Sequence, residues 1–245
     1  MTTVHESTLG ELVTARPAAA RVLEAFRLDY CCGGDRTLAE ACTAAGLDPS
    51  DVTTALESVN GEGDGRWAEL DAPSLVTHIV ETHHRYLHEE LPLVDALAAK
   101  VLAAHGPRHR ELDQVRQLVA ELRADLEPHL MKEERVLFPA ISALGAGQRE
   151  FAFGSVANPI RMMMMEHDRA GELLAALRRA TGDYAAPADA CTSYRTLYAR
   201  LEALELDTHL HVHKENSVLF PAALRLADVD GTVIREIRAS TASGS

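Results

Sequence analysis

Apolar residues recur at helical spacing along four long segments between positions 71 and 226. These segments begin near Pro73, run from about Arg110 to Phe138, open at Asn158 with Pro159 as the first helical residue, and run from about Ala188 to Phe220. In the first segment the apolar positions step by about 3.6 residues, the period of an α-helix with one buried face. Connections of about ten residues or more between the segments suit an antiparallel four-helix bundle.

Six polar residues interrupt these apolar faces, at positions where core side chains are expected. They are His84, His129, Glu133, His167, His211 and Glu215. A buried carboxylate is costly unless a positive charge compensates it, and no lysine or arginine falls on the same faces. One buried histidine is more often an ordinary core residue than a ligand. The argument for a metal site therefore depends on the pattern of all six.

Four of these polar residues belong to a phrase that the chain repeats. Residues 129–140 read HLMKEERVLFPA and residues 211–222 read HVHKENSVLFPA, with eight of the twelve letters identical. In both phrases His and Glu are four residues apart, which places them on one helix face. A lone histidine precedes each phrase, His84 by 45 residues and His167 by 44. Four imidazoles and two carboxylates are too many for one tetrahedral zinc and suit two iron or manganese ions, with each glutamate able to bridge both. The V-L-F letters are expected to pack the closed end of the bundle.

Several residues near these six have two interpretations. His83 is an alternative to His84, and the helical spacing favours His84. Glu166 lies next to His167, and Asp125 lies one turn before the first phrase. Both acids are expected either beside the metal ions, as proton relays or supporting acids, or on the surface as exposed helix carboxylates.

The other histidines and two of the four cysteines receive simpler assignments. His209 and His213 are expected at the surface, because they flank His211 at two-residue steps and so point to other faces of the helix. The same assignment is expected for His5, His78, His105 and His109. Cys42 and Cys191 are expected to be core thiols.

The first sixty residues predict a separate small helical unit. Apolar residues again recur at helical spacing, and Thr37 with Glu40 forms the capping-box pattern that starts a helix. The sequence NGEGDG at 60–65 is rich in glycine and acid and is expected to be a linker. The predicted domains are a small helical domain at 1–62, the bundle at 71–226 and a partly helical, frayed tail at 227–245.

Two adjacent cysteines, Cys31 and Cys32, stand in the sequence DYCCGGD within this small unit. Glycines allow a tight turn here, and a following helix N-terminus is expected to favour the thiolate. Redox chemistry, metal transfer and attachment of iron from a damaged cluster all fit such a pair. A buried structural pair fits equally well.

Composition removes several classes of function. The chain has 245 residues and a formal net charge of −13, which argues against nucleic acid and anionic membranes as partners. No apolar run approaches the roughly 18 residues that span a bilayer, and the N-terminus shows no secretory signal. We expect a cytoplasmic protein, in which the four cysteines are thiols.

These motifs together resemble the Repair of Iron Centres family, the iron–sulfur cluster repair di-iron proteins. The matching stretches are LGEL at 9–12, LDYCCGG at 28–34, HLMKEERVLFP at 129–139, MEHDRAGELL at 165–174 and HVHKENSVLFP at 211–221. The resemblance implies an all-α fold, a hemerythrin-like antiparallel four-helix bundle behind a small N-terminal helical domain. It places the family's metal ligands on the same six residues and its paired cysteines on Cys31 and Cys32. Its acids near the site fall on Glu166 and on Asp125, where the family often has Glu.

The resemblance also implies a function. The family carries two non-haem iron ions with carboxylate and oxo or hydroxo bridges, and repairs iron–sulfur clusters damaged by nitric oxide or oxidative stress. Iron donation to damaged clusters and reduction of nitric oxide at the di-iron site are both expected mechanisms. Damaged iron–sulfur proteins, nitric oxide and dioxygen would be the partners, and a homodimer is left open.

Two alternative functions compete with repair. The first is a hemerythrin-like protein that binds or senses oxygen or nitric oxide. An oxygen carrier has no need of DYCCGG, and oxygen-carrying hemerythrins use five histidines where this site offers four. The second is an oxygen- or peroxide-activating di-iron enzyme, which is disfavoured because such sites are usually rich in carboxylates.

Overall fold

The computed structural model describes residues 4–59 and 65–227 of the chain. Most of the predicted linker, residues 60–64, and the predicted tail from 228 onward lie outside the described residues. Within the described ranges the secondary structure is helical, and an isolated bridge joins Thr8 to Thr37. The predicted all-α class is confirmed.

Four short helices form the front module, residues 4–59. They are α1 (Leu9–Ala15), α2 (Ala19–Ala25), α3 (Leu38–Ala45) and α4 (Pro49–Ser58). The capping box predicted at Thr37 is confirmed, since Thr37 and Glu40 each accept a backbone N–H of the other. Thr8 and Glu11 start α1 in the same way. The apolar faces of the four helices meet in one core that includes Leu9, Leu23, Leu38, Val52 and Leu56.

Four long helices form the bundle, and three of them contain a π-helical turn. The first comprises α5 (Ala72–Ile79), a π-turn (Val80–His84) and α6 (Arg85–His105). The second comprises α7 (Glu111–Lys132), a π-turn (Glu133–Leu137) and α8 (Phe138–Gly145). The third is α9 (Ala157–Ala180), and the fourth comprises α10 (Thr192–His213), a π-turn (Lys214–Leu219) and α11 (Phe220–Leu226).

The starts of the third and fourth helices differ from the prediction. The third helix begins at Ala157, so Asn158 is inside it and is not its cap. The hydroxyl of Ser155 accepts the N–H of Ala157 and satisfies one of the free donors at this end. The fourth helix begins at Thr192, and Cys191 occupies its N-cap position.

The six predicted ligands lie between two apolar clusters. One cluster contains residues from Leu87 to Leu130 and from Ala170 to Leu204, and the other contains residues from Trp67 to Ile79, from Leu137 to Met163 and from Leu219 to Leu224. Along each long helix the ligand positions separate the residues of one cluster from those of the other. The polar site is therefore enclosed by apolar packing at both ends.

A proline follows two of the π-turns. Pro139 and Pro221 each follow a π-turn after one intervening phenylalanine. A proline inside a helix has no N–H to donate, and its ring clashes with the carbonyl four residues earlier, which here lies within the π-turn. The N–H of Phe138 instead bonds the carbonyl of Glu133, five residues back, and the same bond joins Phe220 to Glu215.

The front module packs against the π-turn of the fourth bundle helix. The N–H of Gly10 donates to the carbonyl of Gly34 at 2.8 Å. A Cβ atom on Gly10 would lie 2.8 Å from the Ser217 hydroxyl, so only glycine permits this close approach.

In the described part of the chain, every helix is too short or too polar to cross a bilayer.

Candidate metal centre

Six buried side chains from the four bundle helices meet at one point. His84 ends the first π-turn, Glu133 begins the second, and Glu215 lies in the third. His129 and His211 lie one turn before the glutamates, in the last turns of α7 and α10, and His167 is in the middle of α9. All six are at most 2% exposed. The site is thus set within the protein interior.

The histidines form two pairs, and both carboxylates reach both pairs. The Nε2 atoms of His84 and His211 lie 3.2 Å apart, as do those of His129 and His167. Glu133 Oε2 lies 3.4 Å from His84 Nε2 and 3.3 Å from His129 Nε2.

Glu215 spans the two pairs in the same manner. Its Oε1 lies 3.0 Å from His211 Nε2 and its Oε2 lies 3.1 Å from His167 Nε2. Two ligand atoms bound at right angles about 2.1 Å from one ion would be about 3 Å apart. The six residues therefore present two adjacent sets of ligand atoms that share both glutamates.

The carboxylates lack the partners that buried anions require. Neither oxygen of Glu133 has a hydrogen-bond partner among the described residues, and neither does Oε2 of Glu215. Burial lowers the pKa of His84, but the nearby carboxylates of Glu133 and Glu215 outweigh it and raise that pKa to about 10. For His129, burial again lowers the pKa, and the charge of Glu133 raises it to about 10. The two carboxylates thus attract positive charge strongly, and the orphaned oxygens fit bound cations.

Three of the four imidazoles have a protein partner on their outer nitrogen. His84 Nδ1 lies 3.0 Å from Glu134 Oε1, and His167 Nδ1 lies 2.9 Å from Asn216 Oδ1. Glu134 and Asn216 occupy the same place in the repeated phrase, directly after the glutamate that reaches both histidine pairs. Such partners fix the ring orientation and raise the basicity of a metal-ligating imidazole.

His129 is the third histidine with such a partner, and His211 is the exception. His129 Nδ1 lies 2.9 Å from Glu166 Oε2, and Glu166 also pairs with Lys132. His211 Nδ1 is buried and has no hydrogen-bond partner among the described residues. His83 instead stacks on the His211 ring, with centroids 5.4 Å apart and planes 9° apart. The repeat is therefore approximate at this position.

A phenylalanine from each phrase covers the lone histidine of the same half. The Phe138 ring stacks on His84 with centroids 5.2 Å apart, and the Phe220 ring stacks on His167 at 5.9 Å. The expectation for the V-L-F letters is thus met by Leu and Phe. It is wrong for Val136, which is 44% exposed.

The two acids named from the sequence have different positions. Glu166 touches His129, as one of its two interpretations predicted. Asp125 has a half-exposed side chain and pairs with Arg169 at 3.6 Å, so the structure does not bring it to the ligands. Burial raises the pKa of Glu166, but hydrogen bonds from His129 and Lys132 outweigh it and lower that pKa.

Sequence reasoning missed the buried group beside His211. Lys214 is only 4% exposed, and its Nζ lies 2.7 Å from His83 Nε2 and 5.2 Å from the centre of the Trp67 ring. His83 Nδ1 in turn lies 2.8 Å from Asp207 Oδ1. The repeat gave one signal: Lys214 is the counterpart of Lys132, which pairs with an acid beside the site.

The paired cysteines lie against the helix that carries His167. Cys32 Sγ is 3.6 Å from the carbonyl oxygen of His167, and the side-chain amide of Asn216 donates to the carbonyl of Cys31 at 3.2 Å. Asn216 therefore joins the cysteine loop to a predicted metal ligand. The carboxylate of Asp29 accepts backbone N–H groups of Cys31 and Cys32 and holds the turn.

The helix terminus expected beside the cysteines is absent, because α3 starts only at Leu38. The hydrogen bond to Cys32 and burial raise the pKa of Cys31 well above its usual value. The hydrogen bond from Cys31 lowers the pKa of Cys32, but burial and the charge of Asp29 outweigh it. The expectation of a stabilised thiolate is wrong.

A cavity of about 1000 Å³ lies between the front module and the bundle. Both cysteines line it, together with Asn216, Asp168 and Gly171. The cavity therefore lies along α9, beside the cysteine whose sulfur is 3.6 Å from the carbonyl oxygen of His167.

The simpler assignments of histidine and cysteine are partly wrong. Cys42 is a core thiol as predicted, whereas Cys191 is exposed. His213 is fully buried, because Tyr30 and Trp67 pack against it at centroid distances of 5.6 and 5.8 Å. His105, another residue expected at the surface, is only 7% exposed.

Two family models match the chain. The model described as Hemerythrin HHE cation binding domain matches residues 75–223. The ScdA_N model, described as Domain of Unknown function (DUF542), matches residues 5–60. The six buried ligands lie in the first range and the cysteine pair in the second.

Curated relatives match nearly the whole chain. It is 36% identical over 223 residues to the iron–sulfur cluster repair protein YtfE of Musicola paradisiaca, covering 90% of this chain and 97% of the relative. It is 33% identical over 221 residues to the iron–sulfur cluster repair protein ScdA of Staphylococcus haemolyticus, covering 88% and 97%. A probable iron–sulfur cluster repair protein of Haemophilus influenzae is 34% identical over 220 residues, covering 88% and 96%. With its hemerythrin HHE cation-binding domain behind a ScdA_N domain, this chain belongs to the family of iron–sulfur cluster repair proteins.

Proposed function

We propose that this protein holds two non-haem iron ions and repairs iron–sulfur clusters damaged by nitric oxide or oxidative stress. The observation that carries the proposal is the arrangement of the six ligands. His84 and His211 form one set with Glu133 and Glu215, and His129 and His167 form the second set with the same two glutamates.

The donor set supports iron. Imidazole nitrogens with carboxylate oxygens suit iron, whereas soft metals prefer thiolates. One ion would be held by His84 and His211 and the other by His129 and His167, with Glu133 and Glu215 within reach of both. When bound, the two ions supply electron-transfer chemistry and binding positions for a diatomic molecule such as nitric oxide or dioxygen.

The protein residues around this centre hold and shield it. Glu134, Glu166 and Asn216 fix the outer nitrogens of three ligands, and the two phenylalanines of the repeat cover two of the rings. The apolar clusters on both sides keep water away from the ligands. These contacts preorganise the site.

Repair has two candidate chemistries, iron donation and nitric oxide reduction. The cavity that reaches Cys31 and Cys32 supports exchange between the centre and a damaged iron–sulfur protein, because these thiols lie between the cavity and the His167 helix. The presence of two thiols beside this cavity favours repair over oxygen carriage, because an oxygen carrier needs no thiols there.

The first experiment measures metal content. Iron analysis after anaerobic loading should give about two irons per chain, as the two ligand sets predict. A single zinc per chain would contradict the di-iron centre.

The second experiment measures repair. Purified loaded protein is mixed anaerobically with an enzyme whose [4Fe–4S] cluster has been damaged by nitric oxide, and enzyme activity and nitrous oxide are followed together. Recovery without nitrous oxide indicates iron donation, and recovery with nitrous oxide indicates nitric oxide reduction. Two bound irons without any recovery would refute the repair function while leaving the metal centre intact.

A further inference from the structure

Cys191 and His105 meet at a place far from the metal centre. His105 is the last residue of α6, and Cys191 is the N-cap of α10. The predicted ligands His84 and His211 lie about twenty residues away along these same helices, and twenty helical residues span roughly 30 Å. Chemistry at Cys191 is therefore separate from the proposed iron site.

The imidazole of His105 is aimed at the thiol of Cys191. His105 Nε2 lies 3.1 Å from Cys191 Sγ. The ring is only 7% exposed and packs against the Tyr194 ring at a centroid distance of 5.4 Å, so its direction is fixed. Its Nδ1 has no hydrogen-bond partner among the described residues. The Cys191 thiol is therefore the hydrogen-bond partner that the structure gives to this buried ring.

The position of Cys191 adds to this pairing. Cys191 is an exposed residue, while the histidine behind it is buried. It caps the N-terminus of a 22-residue helix, and its side chain makes no capping hydrogen bond. Partial positive charge at a helix N-terminus favours a negatively charged group. The sulfur of this residue therefore has a proton acceptor on one side and a helix N-terminus on the other.

His109, which packs beside His105, is held by carboxylates and not by the thiol. His109 has its two ring nitrogens beside Glu111 Oε1 at 3.1 Å and Asp189 Oδ1 at 3.1 Å. Cys191 and His105 belong to none of the three side-chain sets that converge closely enough for a metal ion in the described part of the chain. The geometry is that of an activated nucleophile.

We infer that Cys191 and His105 form a reactive thiol site that takes up low-molecular-weight disulfides as mixed disulfides. Cys191 Sγ passes its proton to His105 Nε2, and the thiolate attacks one sulfur of the small disulfide. The old S–S bond breaks as the new one forms, and the departing thiolate takes the proton from His105. One protein thiol and one small disulfide become one mixed disulfide and one small thiol, without any other oxidant.

The test uses the full-length protein and oxidised glutathione at neutral pH. Peptide mapping by mass spectrometry follows the modification of each cysteine with time. Cys191 should react about fivefold faster in the folded protein than in the same protein unfolded in urea, because only the folded protein holds His105 Nε2 beside the sulfur as a proton acceptor. A folded rate equal to or below the unfolded rate would overturn the inference.

A pair of variants tests the role of the histidine. His105→Gln should lower the rate at Cys191 about fivefold, since it removes the proton acceptor. His109→Gln is the matched control, because His109 sits at the same end of the bundle and touches carboxylates rather than the thiol. Equal rates in the wild type and His105→Gln would also overturn the inference. The comparison of folded with urea-unfolded wild-type protein uses no variant, so it tests the inference even if His105→Gln folds poorly.

Discussion

Replacing Asn216 by alanine should weaken the binding of one proposed iron ion and spare the other. Asn216 is buried, accepts from His167 Nδ1 at 2.9 Å and donates to the carbonyl of Cys31 at 3.2 Å. Alanine leaves the His167 N–H without that acceptor, so the hydrogen bond no longer fixes the rotation of the imidazole about its Cβ–Cγ bond. His167 belongs to the set with His129, so the set of His84 and His211 should be unaffected.

The size of the effect follows from the role of such partners. Loss of the group that holds the outer nitrogen of a ligating histidine typically weakens metal binding by 10- to 100-fold, or about 1.4–2.7 kcal/mol. Competition with a ferrous chelator measures this loss. Asn216→Ala should release one iron per chain at a chelator concentration about 10- to 100-fold lower than the wild type requires, and the second iron should follow the wild-type curve.

Asn216→Asp is the matched control. It keeps an oxygen acceptor for His167, as Glu134 does for His84 at the equivalent place in the repeat. Its iron should be held within about threefold of the wild type, since the orienting contact survives. The reasoning is refuted if Asn216→Ala releases both irons like the wild type, or if Asn216→Asp is as weak as Asn216→Ala.

Three further predictions concern other parts of the molecule. Glu215→Ala should lose both irons, because this carboxylate reaches both histidine pairs; retention of one tightly bound iron by metal analysis would contradict this. Cys31→Ala/Cys32→Ala should keep the iron absorption spectrum but impair cluster repair several-fold, and loss of iron would instead make the thiols part of the centre. The hydrogen bond to Asp189 raises the pKa of His109 above its usual value. The stability from this pair is therefore complete below about pH 6.5 and is lost as pH rises through the raised pKa. The difference in unfolding free energy between the wild type and His109→Gln should shrink over that range, and a difference that does not change with pH would count against the pair.

The meeting of the six residues could be predicted because they break a strong pattern. A histidine such as His84, or a carboxylate such as Glu133, on an otherwise apolar helix face is conspicuous, and the repeated phrase links four of the six. The capping box at Thr37 could be predicted for a similar reason, since it depends on two side chains three residues apart.

The partners of the ligands could not be predicted in the same way. Glu134 and Asn216 follow the bridging glutamates directly, and a regular helix would turn them about 100° away from that face. The structure brings them to His84 and His167 because those rings come from neighbouring helices, whose placement the sequence pattern does not contain.

The errors at His213 and Cys191 both reflect what helical periodicity cannot describe, and each has its own structural reason. Helical periodicity describes which face of one helix is buried in the bundle, but it says nothing of a second module that covers the outer face. His213 is buried beneath Tyr30 of the front module and Trp67. Cys191 lies at a helix start rather than within a helix, where the period has no meaning.

The π-turns add a residue to each helix without turning the helix that follows. A π-turn covers with five residues about the rotation that an α-helical turn covers with four. Deleting a residue between Glu133 and Phe138 would therefore let regular helix bonds form, and Phe138 would stay on the side of His84. The change would fall on the turn that Glu133 begins, so a shortened chain would keep its bundle and alter the position of this carboxylate.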